Sequence, residues 1–230
     1  MSLLTRRIRR TRNRIAHWFA SPGHRVTRDD VMEELSDSTE LLQVWMDPIE
    51  YSQVICLFEA VRPTEVVEWG AGGSTRALLQ RGDFVERWIS IEHHEGWAER
   101  VRAQITDPRF EILHVACSEE EPAPADGDQR RHEALLAWRK EVERNPLAFT
   151  DYIAAARTAG ARPQFILVDG RARNACAREG FELLAPGGVL VLHDAQRSEY
   201  REAMEQLGAV FLEPWNQGQV AFVRKPDEVG

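Results

Sequence analysis

Three cysteines, Cys56, Cys117 and Cys176, are all that the 230 residues contain, and they lie far apart. With no CxxC pair there is neither a zinc knuckle nor a disulfide framework, and a reducing compartment is the natural setting. Lysine is nearly missing: Lys140 and Lys225 stand alone, and the other basic side chains are arginines. No run approaches the ~20 consecutive apolar residues of a membrane span. The basic N-terminal stretch lacks the ~7–15-residue apolar core of a secretory signal, so the expected location is cytoplasmic. Positive charge is in deficit, 29 basic against 37 acidic residues for a net −8. A chain of that balance is a poor general binder of nucleic acid, and no nucleic-acid partner is expected. Apolar residues are plentiful, 43% with seven tryptophans. That excludes a mostly disordered chain and favours one domain of ordinary size with its own core.

The charge is unevenly spread. Residues 1–28 hold eight arginines and no acid, so the remaining 202 residues set 21 basic groups against all 37 acids, a net −16. Within this arm Leu4, Ile8, Ile15, Trp18 and Phe19 fall on one helical face, with Arg6, Arg7, Arg9, Arg10, Arg12 and Arg14 around the rest. A basic amphipathic helix with aromatic residues suits peripheral contact with an anionic membrane through residues 1–20. It equally suits packing on a partner or on the acidic body. Ser21-Pro22-Gly23 breaks the helix.

The body, residues 29–230, reads as one domain. A helical stretch over 29–44 precedes Asp47-Pro48, an N-cap followed by proline at the first helical position. Tyr51, Val54, Ile55 and Phe58 then recur at helical spacing, and Pro63 ends that helix. Alternation follows. Strands are expected at Glu65–Glu68, Trp88–Ile91, Phe110–Val115, Phe165–Val168 and Val189–Leu192, with helices over Thr75–Gln80, Trp97–Ile105 and Ala175–Leu184. Strands alternating with helices imply a parallel sheet with helices on both faces. Ala209–Leu212 and Val220–Val223 have only a short linker between them, so they form a hairpin and one strand runs antiparallel. Residues 117–163 interrupt the pattern as an insertion. Its opening, Ser118 to Pro124, looks like exposed loop, and Ala134–Val142 and Tyr152–Ala159 look helical. A connection of that length suggests a cover over a local site.

The first strand ends in Glu68-Trp69-Gly70-Ala71-Gly72-Gly73-Ser74-Thr75. Glycines there permit a tight turn and close approach of a ligand to the backbone. Ser74 or Thr75 can cap the next helix, whose free amides attract a polar or anionic group. The dinucleotide fingerprint requires glycine where Thr75 stands, which counts against a nicotinamide oxidoreductase. Glu68 places an acid where it would repel a pyrophosphate and favour a cationic ligand. Glu92 ends the second strand, 20 residues beyond Gly72, where an acid accepts from both ribose hydroxyls. Glycine turn, ribose acid and alternating strands together point to a nucleoside ligand with positive charge near its amino-acid end.

The blocks VVEWGAGGST, SIEHHEGW, FILVDGR and LLAPGGVLVLHDA, which with their surroundings span about residues 50–224, resemble the class I S-adenosylmethionine-dependent methyltransferases. The resemblance implies a Rossmann-like α/β fold: a seven-stranded, mostly parallel sheet of order 3-2-1-4-5-7-6, the last strand antiparallel, with helices on both faces. It implies S-adenosylmethionine as cofactor, with Glu68, Gly70 and Gly72 at the methionine part, Glu92 at the ribose, and Gly73, Ser74, His93 and Asp169 also in the cofactor site. Cys117 and Ser118 would border the adenine, although the acid or glycine often found there is missing. Trp97 would either stack near the adenine or pack in the core.

Asp169 ends the fourth strand, and His193 and Asp194 end the fifth. In a parallel sheet these positions share the rim where ligands bind. Methyl transfer needs alignment of nucleophile and methyl carbon and removal of a hydroxyl proton, for which Asp169 or His193 is the candidate base. Arg171, Arg173 and Arg197 flank the rim; they either grip an acidic or sugar-acid acceptor or pair with local acids. The metal-dependent O-methyltransferases of this fold, which the chain also resembles, imply a magnesium ion on Asp169 and Asp194. His193 departs from their pattern as a softer nitrogen donor. The combined expectation is transfer of methyl to a hydroxyl of a small-molecule or saccharide acceptor. The rival reading is a non-catalytic nucleoside-binding or docking module of the same fold.

Overall fold

The computed structural model describes residues 42–119, 121–122, 129–214 and 218–227. The basic arm and nearly all of the helix expected over 29–44 lie outside these residues.

The chain enters through α1 (Pro48–Val61). Its N-cap Asp47 accepts from the Ile49 amide at 3.0 Å, and Glu50 accepts from the Asp47 amide at 3.2 Å. This reciprocal cap satisfies two amides that a helix start leaves unpaired. The alternating elements are β1 (Glu65–Trp69), α2 (Gly73–Arg81), β2 (Arg87–Glu92), α3 (Glu95–Gln104) and β3 (Phe110–His114), and beyond the insertion β4 (Phe165–Val168), α6 (Arg173–Leu183) and β5 (Val189–Leu192). The insertion between β3 and β4 carries α4 (Gln129–Arg144), a 3-10 turn (Pro146–Phe149) and α5 (Thr150–Thr158). After β5 come α7 (Ser198–Gln206), β6 (Val210–Phe211) and β7 (Ala221–Arg224).

One sheet holds all seven strands in the order β3-β2-β1-β4-β5-β7-β6. β1 pairs in parallel with β2 and β4, whereas β7 runs antiparallel to both β5 and β6. The central strands are apolar and buried on both faces, as a sheet covered by helices on each side requires. Successive side chains alternate between two cores. Val66, Trp88, Phe165 and Val191 join Tyr51, Val54 and Phe58 of α1 on one face. Val67, Trp69, Ile166 and Val168 join Tyr152 of α5 and Cys176 of α6 on the other. Strand order reverses between β1 and β4, which opens a crevice at their carboxyl ends.

Two points differ from expectation. α2 starts at Gly73 with Gly72 as its N-cap, so Ser74 and Thr75 lie inside the first turn, and Thr75 caps from there, its Oγ1 accepting from the Gly72 amide at 2.8 Å. α7 had no counterpart in the sequence reading. Only Tyr200, Ala203 and Met204 of its nine residues are buried, too few to make a clear periodic pattern.

Candidate active site

The crevice is built from the loops that leave β1, β2, β4 and β5. Gly70 has φ +91, and a Cβ there would lie 2.8 Å from the Gly170 Cα, so the turns after β1 and β4 meet backbone to backbone. Gly73 is also needed for packing, because a Cβ would collide with the Gln43 backbone. Gly72 differs. Its backbone is extended, and a Cβ would meet only the Trp97 ring, at 3.8 Å. Gly72 therefore presents an uncovered backbone face. The Trp97 indole donates to the Ala71 carbonyl at 2.6 Å and steadies the turn from above, with Trp45 at 6.3 Å between ring centroids.

Glu68 lies under this turn. Its Oε2 accepts from Thr75 Oγ1 at 2.6 Å, Ser90 Oγ at 2.7 Å and Trp88 Nε1 at 3.2 Å, while Oε1 is buried without a hydrogen-bond partner among the described residues. Thr75 Oγ1 also accepts from the Gly72 amide at 2.8 Å, so Glu68 braces the glycine turn through one hydroxyl. Burial pushes the Glu68 carboxyl up to about 8, against the three hydrogen bonds. The expectation that Glu68 projects an ionised acid at a ligand is thus corrected: its carboxyl is held from below.

Glu92 ends β2 at 5% exposure. Its Oε1 accepts from the His93 and His94 amides at 2.8 and 2.9 Å, and His93 Nδ1 lies 2.9 Å away. Burial opposes ionisation, but these hydrogen bonds hold the carboxyl below its ordinary range. His93 turns its other nitrogen to Glu121 Oε2 at 2.8 Å, and Glu121 Oε1 accepts from Arg171 Nη2 at 2.5 Å. Glu121 stands in the stretch read as exposed loop, yet its side chain is only 19% exposed. Burial works against its ionisation, but His93 and Arg171 hold its carboxyl down at about 2. Glu92, His93, Glu121 and Arg171 therefore form one chain of charges from the tip of β2, through the insertion, to the loop after β4. Cys117 gives its thiol hydrogen to the Glu119 carbonyl at 2.8 Å, and the Ser118 amide donates to the Ala148 carbonyl at 3.0 Å.

On the far side of the crevice Asp169, His193 and Asp194 do come together. Asp169 Oδ1 is 2.8 Å from His193 Nδ1 and 3.0 Å from Arg173 Nη2. Its Oδ2 has no partner among the described residues, and the side chain is 28% exposed. Burial opposes ionisation here too, but the charges of His193 and Arg173 hold Asp169 down at about 2. His193 Nε2 stands 3.4 Å from Glu50 Oε1, so the imidazole lies between two carboxylates. Burial alone would lower its pKa, yet Asp169 and Glu50 raise it to about 10. His193 is thus charged at neutral pH, which corrects the reading of its ring as a free base. Asp194 takes φ +61, with Oδ2 at 3.3 Å from Arg173 Nη1 and 2.7 Å from Arg197 Nη2.

All three rim arginines are paired with local acids: Arg171 with Glu121, Arg173 with Asp169 and Asp194, and Arg197 with Asp194. Arg173 has every donor engaged, whereas Arg171 Nε has no hydrogen-bond partner among the described residues. Four partners escaped sequence reasoning. Glu50 and Glu121 approach from distant segments. Glu143 of α4 caps α6 by accepting from the Arg173 and Asn174 amides at 2.8 and 2.9 Å. Tyr152 lays its hydroxyl against Gly170. No local signal marks any of them, because each contact spans tens of residues.

No protein-family model matches the chain, and no curated protein matches it by sequence. Solved structures do match. A methyltransferase-like protein of Silicibacter pomeroyi is 23% identical, covers 81% of this chain and 91% of its own, and superposes with a TM-score of 0.54. The O-methyltransferase of Bacillus cereus, solved with SAH, is 15% identical over 94% of this chain and 97% of its own, TM-score 0.55. An O-methyltransferase of Streptomyces achromogenes involved in tomaymycin synthesis, solved with SAM, is 13% identical over 92% and 96%, TM-score 0.55. The seven-stranded, Rossmann-like sheet with its antiparallel β7 is the fold of class I S-adenosylmethionine-dependent methyltransferases.

Proposed function

We propose that the chain is an S-adenosylmethionine-dependent methyltransferase that acts on a hydroxyl of a small-molecule acceptor. The observation that carries this reading is Glu92, an ionised carboxylate at the carboxyl end of β2, beside the glycine turn in which a Cβ at Gly72 would meet nothing nearer than the Trp97 ring at 3.8 Å. A carboxylate offers about four acceptor positions, so Glu92 retains capacity for ribose hydroxyls beyond its bonds to His93 and His94. The residues fit the cofactor in two further ways. Gly72 leaves open backbone where a side chain would otherwise project, and Glu68 Oε1, which carries the proton of the neutral carboxyl and has no hydrogen-bond partner among the described residues, offers a donor beneath the turn.

When bound, S-adenosylmethionine supplies an electrophilic methyl on a sulfonium sulfur. The chain's own task is to hold the acceptor oxygen in line and to take its proton. Asp169 Oδ2 is the open acceptor for that hydroxyl, since Oδ1 is already bound by His193 and Arg173. A carboxylate held near pKa 2 is a weak base. It suffices because the acceptor proton becomes strongly acidic as the new C–O bond forms. His193, bound to Asp169 through Nδ1 and lying 3.4 Å from Glu50 on its other side, orients Asp169. Asp194 and Arg197 close the wall behind it.

Calorimetric titration with S-adenosylhomocysteine tests the reading. A folded sample binds it, and Glu92→Ala weakens binding more than about tenfold by leaving ribose hydroxyls unpaired. A folded wild-type protein that does not bind removes the proposal.

A further inference from the structure

Asp169, His193 and Asp194 bring ligand-type atoms within 4.8 Å of one another, the spacing of a divalent-cation site. That space already has an occupant. Arg173 is 5% exposed, and its guanidinium lies between the two aspartates. Nε donates to the Gly170 carbonyl at 3.0 Å. Nη1 donates to the His193 carbonyl at 2.7 Å and to Asp194 Oδ2 at 3.3 Å. Nη2 donates to the Asp169 carbonyl at 2.8 Å and to Asp169 Oδ1 at 3.0 Å. A guanidinium carries five N–H donors, and all five are used.

The placement is built in by the fold. Arg173 is the first residue of α6, entered through Ala172 in a left-handed turn at φ +49. Its backbone amide is fixed by Glu143 from the insertion. Asp194, also left-handed, turns its carboxylate back toward the guanidinium. Two non-glycine residues in this sparsely populated region flank one side chain, as at a site the surrounding structure over-determines.

We propose that Arg173 is the resident cation of this site, a guanidinium standing in the place of a divalent ion, so that Asp169 and Asp194 are held without metal. A magnesium ion wants near-octahedral oxygen ligands at about 2.0–2.1 Å. To reach Asp169 and Asp194 it would have to displace the guanidinium from both, stranding a buried positive charge beside a doubly positive ion. Arg173 has no donor left for substrate, so it is a positioning residue. It turns Asp169 so that Oδ2 faces the crevice.

The role of the site rests on the transferase reading, but the identity of its cation does not. The test therefore uses Mn2+ as probe, followed by the paramagnetic relaxation of water protons, on the full chain with and without S-adenosylhomocysteine. The wild-type protein is expected to show no saturable Mn2+ binding at millimolar concentration that Asp169→Asn abolishes. Such binding would overturn the proposal whatever the cofactor does. Arg173→Met, checked for folding by circular dichroism, is expected to bind Mn2+ at least about tenfold more tightly than wild type and to lose that binding when combined with Asp169→Asn. A folded Arg173→Met that gains no Mn2+ site would also overturn it. If the variant does not fold, the wild-type titration decides alone. Failure to bind S-adenosylhomocysteine bears only on the transferase reading.

Discussion

Replacing Glu68 by glutamine converts a buried titration into a measurable change of stability. Glu68 is fully enclosed, and burial raises its carboxyl from an ordinary 4.5 to about 8. Below pH 4.5 the carboxyl is protonated in both folded and unfolded chains, and its contribution to stability is complete. As pH rises toward 8 the unfolded chain releases a proton that the folded chain keeps. Stability then falls by about 1.4 kcal/mol for each pH unit, to a total loss of about 5 kcal/mol above pH 8. Glutamine retains a carbonyl oxygen for Thr75, Ser90 and Trp88 and has nothing to ionise. Urea unfolding of both proteins from about pH 5 to about pH 9 gives the difference directly. Groups such as His193 titrate in both proteins and cancel. The expected outcome is a variant whose stability relative to wild type climbs steadily over that range by several kcal/mol. Parallel curves would refute the picture of a carboxyl held neutral under the glycine turn.

Other outcomes follow from the same geometry. Gly72→Ala leaves the fold within about 1 kcal/mol, because its backbone is extended and its Cβ meets only the Trp97 ring. It should weaken S-adenosylhomocysteine binding more than about tenfold, and an unchanged affinity in the calorimeter would show that the bare face is not a ligand seat. The His193 imidazole stays doubly protonated through neutral pH in a nitrogen-15 NMR titration. Its raised pKa means that its share of stability is complete below pH 6.5 and lost as pH rises through about 10. A midpoint near 6.5 would break the Asp169–His193–Glu50 arrangement. Glu143→Ala removes both side-chain acceptors at the start of α6 and costs about 1–2 kcal/mol in urea unfolding. A smaller loss in that variant would mean that water replaces the cap.

Much of the architecture was legible in the chain because it follows from local patterns. Apolar tetrads such as Phe165–Val168 and Val189–Leu192 read as buried parallel strands, and the structure has strands at those residues. Asp47-Pro48 marked the start of α1, and Gly70 marked a turn that only a positive φ can make. Glu92 and Asp169 could be placed at strand tips by counting alone. The partners of these residues could not. Glu121 sits in an acidic, proline-containing stretch indistinguishable from a solvated loop, yet it joins His93 to Arg171.

The sequence by itself determined the elements, their order and the residue types at the crevice, because hydrophobic period and turn chemistry act over a few neighbours. Only the tertiary structure decided what those residues are in charge and orientation. Protonation depends on burial and on charges a few ångströms away in space, and those neighbours come from Glu50, Glu121, Glu143 and Arg173, which lie far apart along the chain. A histidine that looked like a base became a fixed cation, and an arginine that looked like a substrate grip became a tie between two strands.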